Sequence, residues 1–125
     1  MNYLAIFIGG GLGSLLRYGT TVFFKKYSYF NLPLGTLVSN ILASFLLGIL
    51  VSYFASKTYD NKLMMNFLMI GLCGGFSTFS TFSLENFMFI NNNQFLSLFA
   101  YIVLSVLLSI LFIYVGFALS SIVYK

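Results

Sequence analysis

The groups in this chain that could do chemistry are hydroxyls, amides and aromatic rings embedded in apolar sequence. They are Asn40, the run from Gly71 through Leu72-Cys73-Gly74-Gly75-Phe76-Ser77-Thr78-Phe79-Ser80-Thr81 to Phe82, and the series Tyr101, Ser105 and Ser109. There is no His, and Cys73 is the single cysteine, so a His/Cys metal cluster, a His-based catalytic system and an intramolecular disulfide are all excluded within one chain. The glycine run Gly9-Gly10-Gly11-Leu12-Gly13 follows no strand and lacks the Lys-Ser/Thr of a phosphate-binding loop, which makes it a surface for close helix packing.

The segment from Gly71 to Phe82 is the most informative. Adjacent glycines deep in an apolar stretch unwind a helix at low steric cost, and freed backbone is tolerable there only if it is buried in protein or lines a wet cavity. The spacing predicts a helix interrupted at 74–77. Carbonyls ending the first half-helix are poised to bind a cation, and amides opening the second are poised for an anion. The hydroxyls of Ser77, Thr78, Ser80 and Thr81 can satisfy what remains. Phe79 and Phe82, three apart, share a helix face. Among sixteen Phe residues such a pair serves packing, unless an anion passes beside the positive ring edges.

Asn40 lies about two turns into an apolar stretch, where an amide must face protein or water. It is either an interhelical hydrogen bond or a donor to a desolvated anion. Ser97, Tyr101, Ser105 and Ser109 recur every four residues and form a hydroxyl stripe that reads as a polar track. Arg17 either snorkels to the membrane surface or faces an anion-attracting vestibule. Glu85, the only acid within an apolar stretch, is expected to be paired with a basic group near the surface or to lie at the interface itself. The competing role is a proton-coupling carboxylate, which would make the chain a small dual-topology proton-coupled exporter. No second embedded acid is present to build a cation-selective acidic ring.

The elements that hold these groups follow from composition. Of 125 residues 60% are apolar and 6% charged, and the mean hydropathy is +1.00, far from soluble composition, where about a quarter of residues are charged. A hydrocarbon core of about 30 Å needs roughly 20 apolar residues per helix. The chain therefore reads as a single all-α membrane domain, residues 1–125, with helices at about 3–24, 33–56, 63–90 and 95–123. The first ends at Lys25-Lys26-Tyr27, a basic and aromatic interfacial signature, and the second opens at Pro33, the only proline. The N-terminal stretch lacks the basic start and cleavage site of a signal peptide and reads as a retained span.

The six basic residues are scattered at the ends of apolar runs, which suits interfacial anchoring and not a nucleic-acid footprint. Lys57, Lys62 and Lys125 would lie on one side of the membrane, and Lys25 and Lys26, with Arg17 deeper, on the other. That bias is too weak to fix an orientation, so insertion in both is expected. A four-helix chain cannot readily enclose a hydrophilic path, so a homodimer is the minimum expected assembly. Gly9 with Gly13 and Ser44 with Gly48 offer small-residue surfaces for close contact.

In their order along the chain, GGGLGSLLRY at 9–18, PLGTLVSN at 33–40, GLCGGFSTFSTF at 71–82 and the Tyr101/Ser105/Ser109 stripe resemble the Fluc (CrcB) fluoride channel family. The resemblance covers nearly the whole chain. It implies an antiparallel, dual-topology homodimer in the cell inner (plasma) membrane that exports fluoride passively through two pores, and no enzyme activity. It further implies a structural Na+ at the dimer interface, held by the backbone carbonyls of Gly74 and Ser77 from both subunits. Asn40, Phe79, Phe82, Ser80, Thr81, Tyr101, Ser105 and Ser109 would line the fluoride pore, with Arg17 in the vestibule. Three positions depart from the family pattern: Ser77 where Thr is usual, Ala43 where Gly is common and Ser39 where Val is common. A carbonyl ligand survives the first; the other two bear on how the second helix packs.

Overall fold

The fold was obtained as a computed structural model, which describes residues 1–26, 32–56 and 61–123. Tyr27, Lys57 and Lys125, used above to weigh the membrane sides, lie outside the described residues. The order is α1 (Asn2–Lys25), α2 (Leu34–Ala55), a composite first half-helix, α5 (Phe79–Asn91) and α6 (Phe95–Val123). The half-helix begins as α3 (Lys62–Met65), widens into π-helical turns over Asn66–Cys73 and closes with α4 (Gly74–Phe76). No strand occurs among the described residues.

Among the described residues, three helical runs are long and apolar enough to cross a membrane: Leu34–Ala55, Lys62–Asn91 and Phe95–Val123. At 24 residues α1 is longer than α2, but its five glycines, its Ser and Thr residues and Arg17 dilute its apolarity. Large apolar side chains point outward along every helix, among them Phe7 and Leu15 on α1 and Leu107 and Ile110 on α6. That inverts the arrangement of a soluble protein and suits a lipid solvent. The chain is a multi-pass membrane protein.

Two close pairs of helices build the bundle. On α1, a Cβ at Gly9 would collide with the Phe67 carbonyl oxygen and one at Gly13 with the Leu72 carbonyl oxygen. The contacts advance together along both chains, so α1 and the half-helix run parallel. Likewise a Cβ at Gly48 of α2 would strike the Ile113 carbonyl of α6, and one at Gly116 the Phe45 carbonyl of α2. Small residues let these backbones meet directly, which is how helices associate when lipid supplies no hydrophobic drive. The small-residue surfaces at Gly9, Gly13 and Gly48 are therefore used within the chain.

The third apolar stretch departs from its sequence reading in an instructive way. Gly74 is helical (φ −65°, ψ −36°), and Gly75 and Phe76 continue the helix. The extended residues are Ser77 (φ −74°, ψ 158°) and Thr78 (φ −152°, ψ 118°). Glycine makes unwinding cheap but does not compel it; a hydroxyl residue that can cap a new helix decides where one begins. Thr78 does so, its Oγ1 accepting from the Thr81 amide at 3.3 Å.

The remaining boundaries have local causes. Asn61 caps the half-helix, its side-chain oxygen accepting from the Met64 amide at 3.1 Å. At the end of α5, Asn93 adopts φ 55°, and the Asn93 and Gln94 amides donate back to the Ile90 and Phe89 carbonyls. This closing turn needs a residue that tolerates the left-handed region, and Asn is one of the few.

Candidate functional site

Where the half-helix ends, Asn40 of α2 takes hold of the extended backbone. Its Oδ1 accepts from the Thr78 amide at 2.7 Å, and its Nδ2 donates to the Thr78 carbonyl at 3.3 Å. One side chain thus satisfies both backbone groups of a residue outside helical geometry, as the dry surroundings require. The cost falls on the half-helix. With the Thr78 amide given to Asn40, the Gly74 carbonyl loses its ordinary partner four residues on, and the last carbonyls before the break are left for other donors or for a cation. Ser77 relieves one of them, its amide (3.0 Å) and its Oγ (3.1 Å) both donating to the Cys73 carbonyl. Gly74 is exposed, and no atom lies within 4 Å of where its Cβ would be, so its backbone can be approached from outside the chain.

Beside the break lies an open cleft of ≈ 350 Å³ lined by Asn40, Ser44, Ser77, Thr78, Phe79, Phe82, Ser105, Val106, Ser109 and Ile110. It gathers the amide of α2, the two phenylalanines of α5 and two hydroxyls of the α6 stripe, which are distant in sequence. Ser105 lines the cleft and is 5% exposed, its hydroxyl oxygen buried beside that of Tyr101. Phe79 is 79% exposed and its ring lies 5.8 Å from that of Phe82, so Phe79 forms the outer lip. No acid or base lines this cleft.

Behind Phe82 the cleft abuts Tyr101, which is fully buried with its ring 5.3 Å from Phe82 and 5.9 Å from Phe89. Its hydroxyl donates to Glu85 Oε2 at 2.6 Å, and the Thr36 hydroxyl donates to Glu85 Oε1 at 2.7 Å. Both carboxylate oxygens of Glu85 are thus met by hydroxyls. Lys25 shares with Glu85 the lining of a smaller cavity of ≈ 180 Å³ between the end of α1 and the start of α2. These links were not legible in sequence, since Thr36 and Glu85 are 49 residues apart.

Of the other sequence candidates, Ser80 and Thr81 are exposed and do not line the cleft; their hydroxyls join that of Thr78 at 3.3 and 3.1 Å. Arg17 is half-buried on α1 and outside the cleft lining. Ser44, read from sequence only as a packing residue, lines the cleft. The capping preference of Thr just before a helix was the one sequence signal that could have singled out Thr78. No group of three or more His, Cys, Asp or Glu residues suited to a metal occurs among the described residues.

Comparison with known proteins adds to this geometry. Residues 4–117 match the family described as CrcB-like protein, Camphor Resistance (CrcB). The chain is 43% identical over 117 residues to the fluoride-specific ion channel FluC of Hydrogenobaculum sp., covering 93% of this chain and 94% of that one. It is 41% identical over 116 residues to FluC of Flavobacterium psychrophilum, with 93% and 94% covered. It is also 41% identical over 117 residues to FluC of Pyrococcus abyssi, with 94% of each covered.

Proposed function

The chain belongs to the CrcB-like family, and from that premise we propose that it is a passive fluoride channel of the cell inner membrane. The observation that carries the reading is the cleft beside the helix break, where Ser105, Ser109, Asn40 and two phenylalanine rings meet without an acid or base. Hydroxyl and amide protons are the donors that can replace a tightly held anion hydration shell, and ring edges admit an anion without attracting a cation. An acid-free wall spares the anion repulsion.

Passive conduction suffices for export. The conjugate acid of fluoride is weak, neutral and membrane-permeant, so the anion accumulates at a more alkaline interior. A negative-inside potential then drives it outward by about 2.3 kcal/mol per 100 mV.

In this reading α1 is a fourth span, and the third span is broken at Ser77 and Thr78. The cleft opens on the outside of the bundle, and polar groups there cannot face lipid, so a second copy closes it. An antiparallel homodimer of dual topology would form two such paths. The same break supplies a cation site: the Gly74 carbonyl, released by the Asn40 contact, and the Ser77 carbonyl fit a hard cation that takes only oxygen ligands. Two carbonyls per chain are too few for Na+, and two copies would provide four. Bound there, Na+ would neutralise carbonyl dipoles that face one another across the interface.

The test is fluoride efflux from liposomes containing the purified protein. Release driven by membrane potential alone, with no proton gradient, is expected. A folded dimer that releases no fluoride, or only under a proton gradient, would overturn the channel in favour of a scaffold or an exporter using Glu85.

A further inference from the structure

Asn86 sits inside the bundle with a polar atom unmet. It is 9% exposed; its Nδ2 donates to the Phe82 carbonyl one turn earlier at 2.9 Å, and its Oδ1 has no partner. Exchanging the two amide atoms does not help, because it would set Oδ1 against the Phe82 carbonyl oxygen and leave the NH2 group unmet instead. Phe82, Asn86 and Phe89 fall on one face of α5, the face whose two flanking rings touch Tyr101. An orphaned acceptor in such surroundings is costly, and ordered water is its usual remedy.

The location gives this orphan a meaning. Ser105, one turn from Tyr101 on α6, lines the cleft, and Asn86 Oδ1 is the orphan on the α5 side. Between them, the hydroxyls of Tyr101 and Thr36 are both committed to Glu85. An anion that has left the cleft therefore meets a carboxylate whose neighbouring donors are already engaged.

We propose that Asn86 Oδ1 anchors a buried water beside Tyr101, and that this water extends the polar path beyond the cleft. One of its hydrogens goes to Asn86, and the second is offered to a passing anion or, between ions, to the Tyr101 hydroxyl oxygen. Asn86 is thus a positioning residue: it holds the donor and does not touch the ion. The inference rests on the channel reading for the role of the water, and on the orphaned oxygen alone for its presence.

Two measurements on the full-length protein test it. A high-resolution crystal structure is expected to show an ordered water on Asn86 Oδ1; a protein donor there, or no density, overturns the proposal. The near-isosteric pair Asn86→Val and Asn86→Thr then separates structure from function. Valine has no acceptor, and flux should fall roughly fivefold, the equivalent of one hydrogen bond. Threonine can donate to the Phe82 carbonyl, as Ser83 does to Phe79, and still accept from water, so its flux should stay near that of the parent protein. Equal flux in the parent and Asn86→Val, or equal losses in both variants, overturns the role. If Asn86→Val does not fold, loss of flux in a folded Asn86→Thr overturns it as well. A parent protein that passes no fluoride defeats the channel reading and the water's role together, while the density still decides whether the water exists.

Discussion

Asn40 commits its oxygen and one N–H to the backbone of Thr78, which leaves its second N–H for the cleft that it lines. The two sequence readings of this residue, interhelical bond and anion donor, are therefore compatible. Asn40→Ala would leave the Thr78 amide and carbonyl unmet in a dry setting, and thermal unfolding in detergent should show a loss of about 2–4 kcal/mol. The phenylalanines make a different prediction, because Phe79 is mostly exposed in the single chain and can contribute little to its stability. Phe79→Ile or Phe82→Ile should leave the dimer intact by size-exclusion chromatography while lowering fluoride flux about tenfold, or about 1.4 kcal/mol of barrier. Normal flux in both variants would refute a pore role. Glu85 accepts two hydroxyls, and Gln keeps one accepting oxygen. Glu85→Gln should still conduct without a proton gradient; strict loss of transport would favour proton coupling.

The informative elements are the paired helices and the interrupted one. Gly9, Gly13, Gly48 and Gly116 are small because a Cβ at each would meet backbone, which cannot rotate aside as a long side chain can. Gly48→Val should thus cost about 3 kcal/mol or more and broaden the monodisperse peak. Gly74→Ala, where a Cβ meets open space, should be tolerated by the isolated chain. If Gly74→Ala instead disrupts the dimer, that space is filled by the second copy. The π-helical turns of Asn66–Cys73 bear on the same contact, since the Phe67 and Leu72 carbonyls there lean into the gaps left by Gly9 and Gly13. Widened turns of this kind recur at functional sites, and here they carry the half-helix toward the break.

For the whole molecule, the cleft of the single chain is open and α5 is mostly exposed. In the proposed assembly a second, inverted copy would cover both and add its own Gly74 and Ser77 carbonyls to the cation site. Rigorous removal of Na+ should then abolish fluoride flux, with recovery on readdition; unchanged flux with the cation absent would end the Na+ assignment. Reporters fused to the C-terminus should read out on both sides of the membrane, and a signal confined to one side would exclude dual topology.

Composition and pattern determined that the chain lives in lipid and is helical, because long apolar runs without the dyad alternation of barrel strands satisfy their backbone as helices. The residue types at 40, 74–82 and 101–109 also marked where an ion site would be sought. Sequence could not say that Gly74 and Gly75 stay helical while Ser77 and Thr78 extend, since glycine permits a break without fixing its position. The choice was made by Asn40, 38 residues away, which offers Thr78 the hydrogen bonds that a helix would otherwise supply. The same holds for Glu85, whose partners Thr36 and Tyr101 arrive on two other helices. Periodicity reports which face a residue occupies, but only packing brings a distant helix to that face.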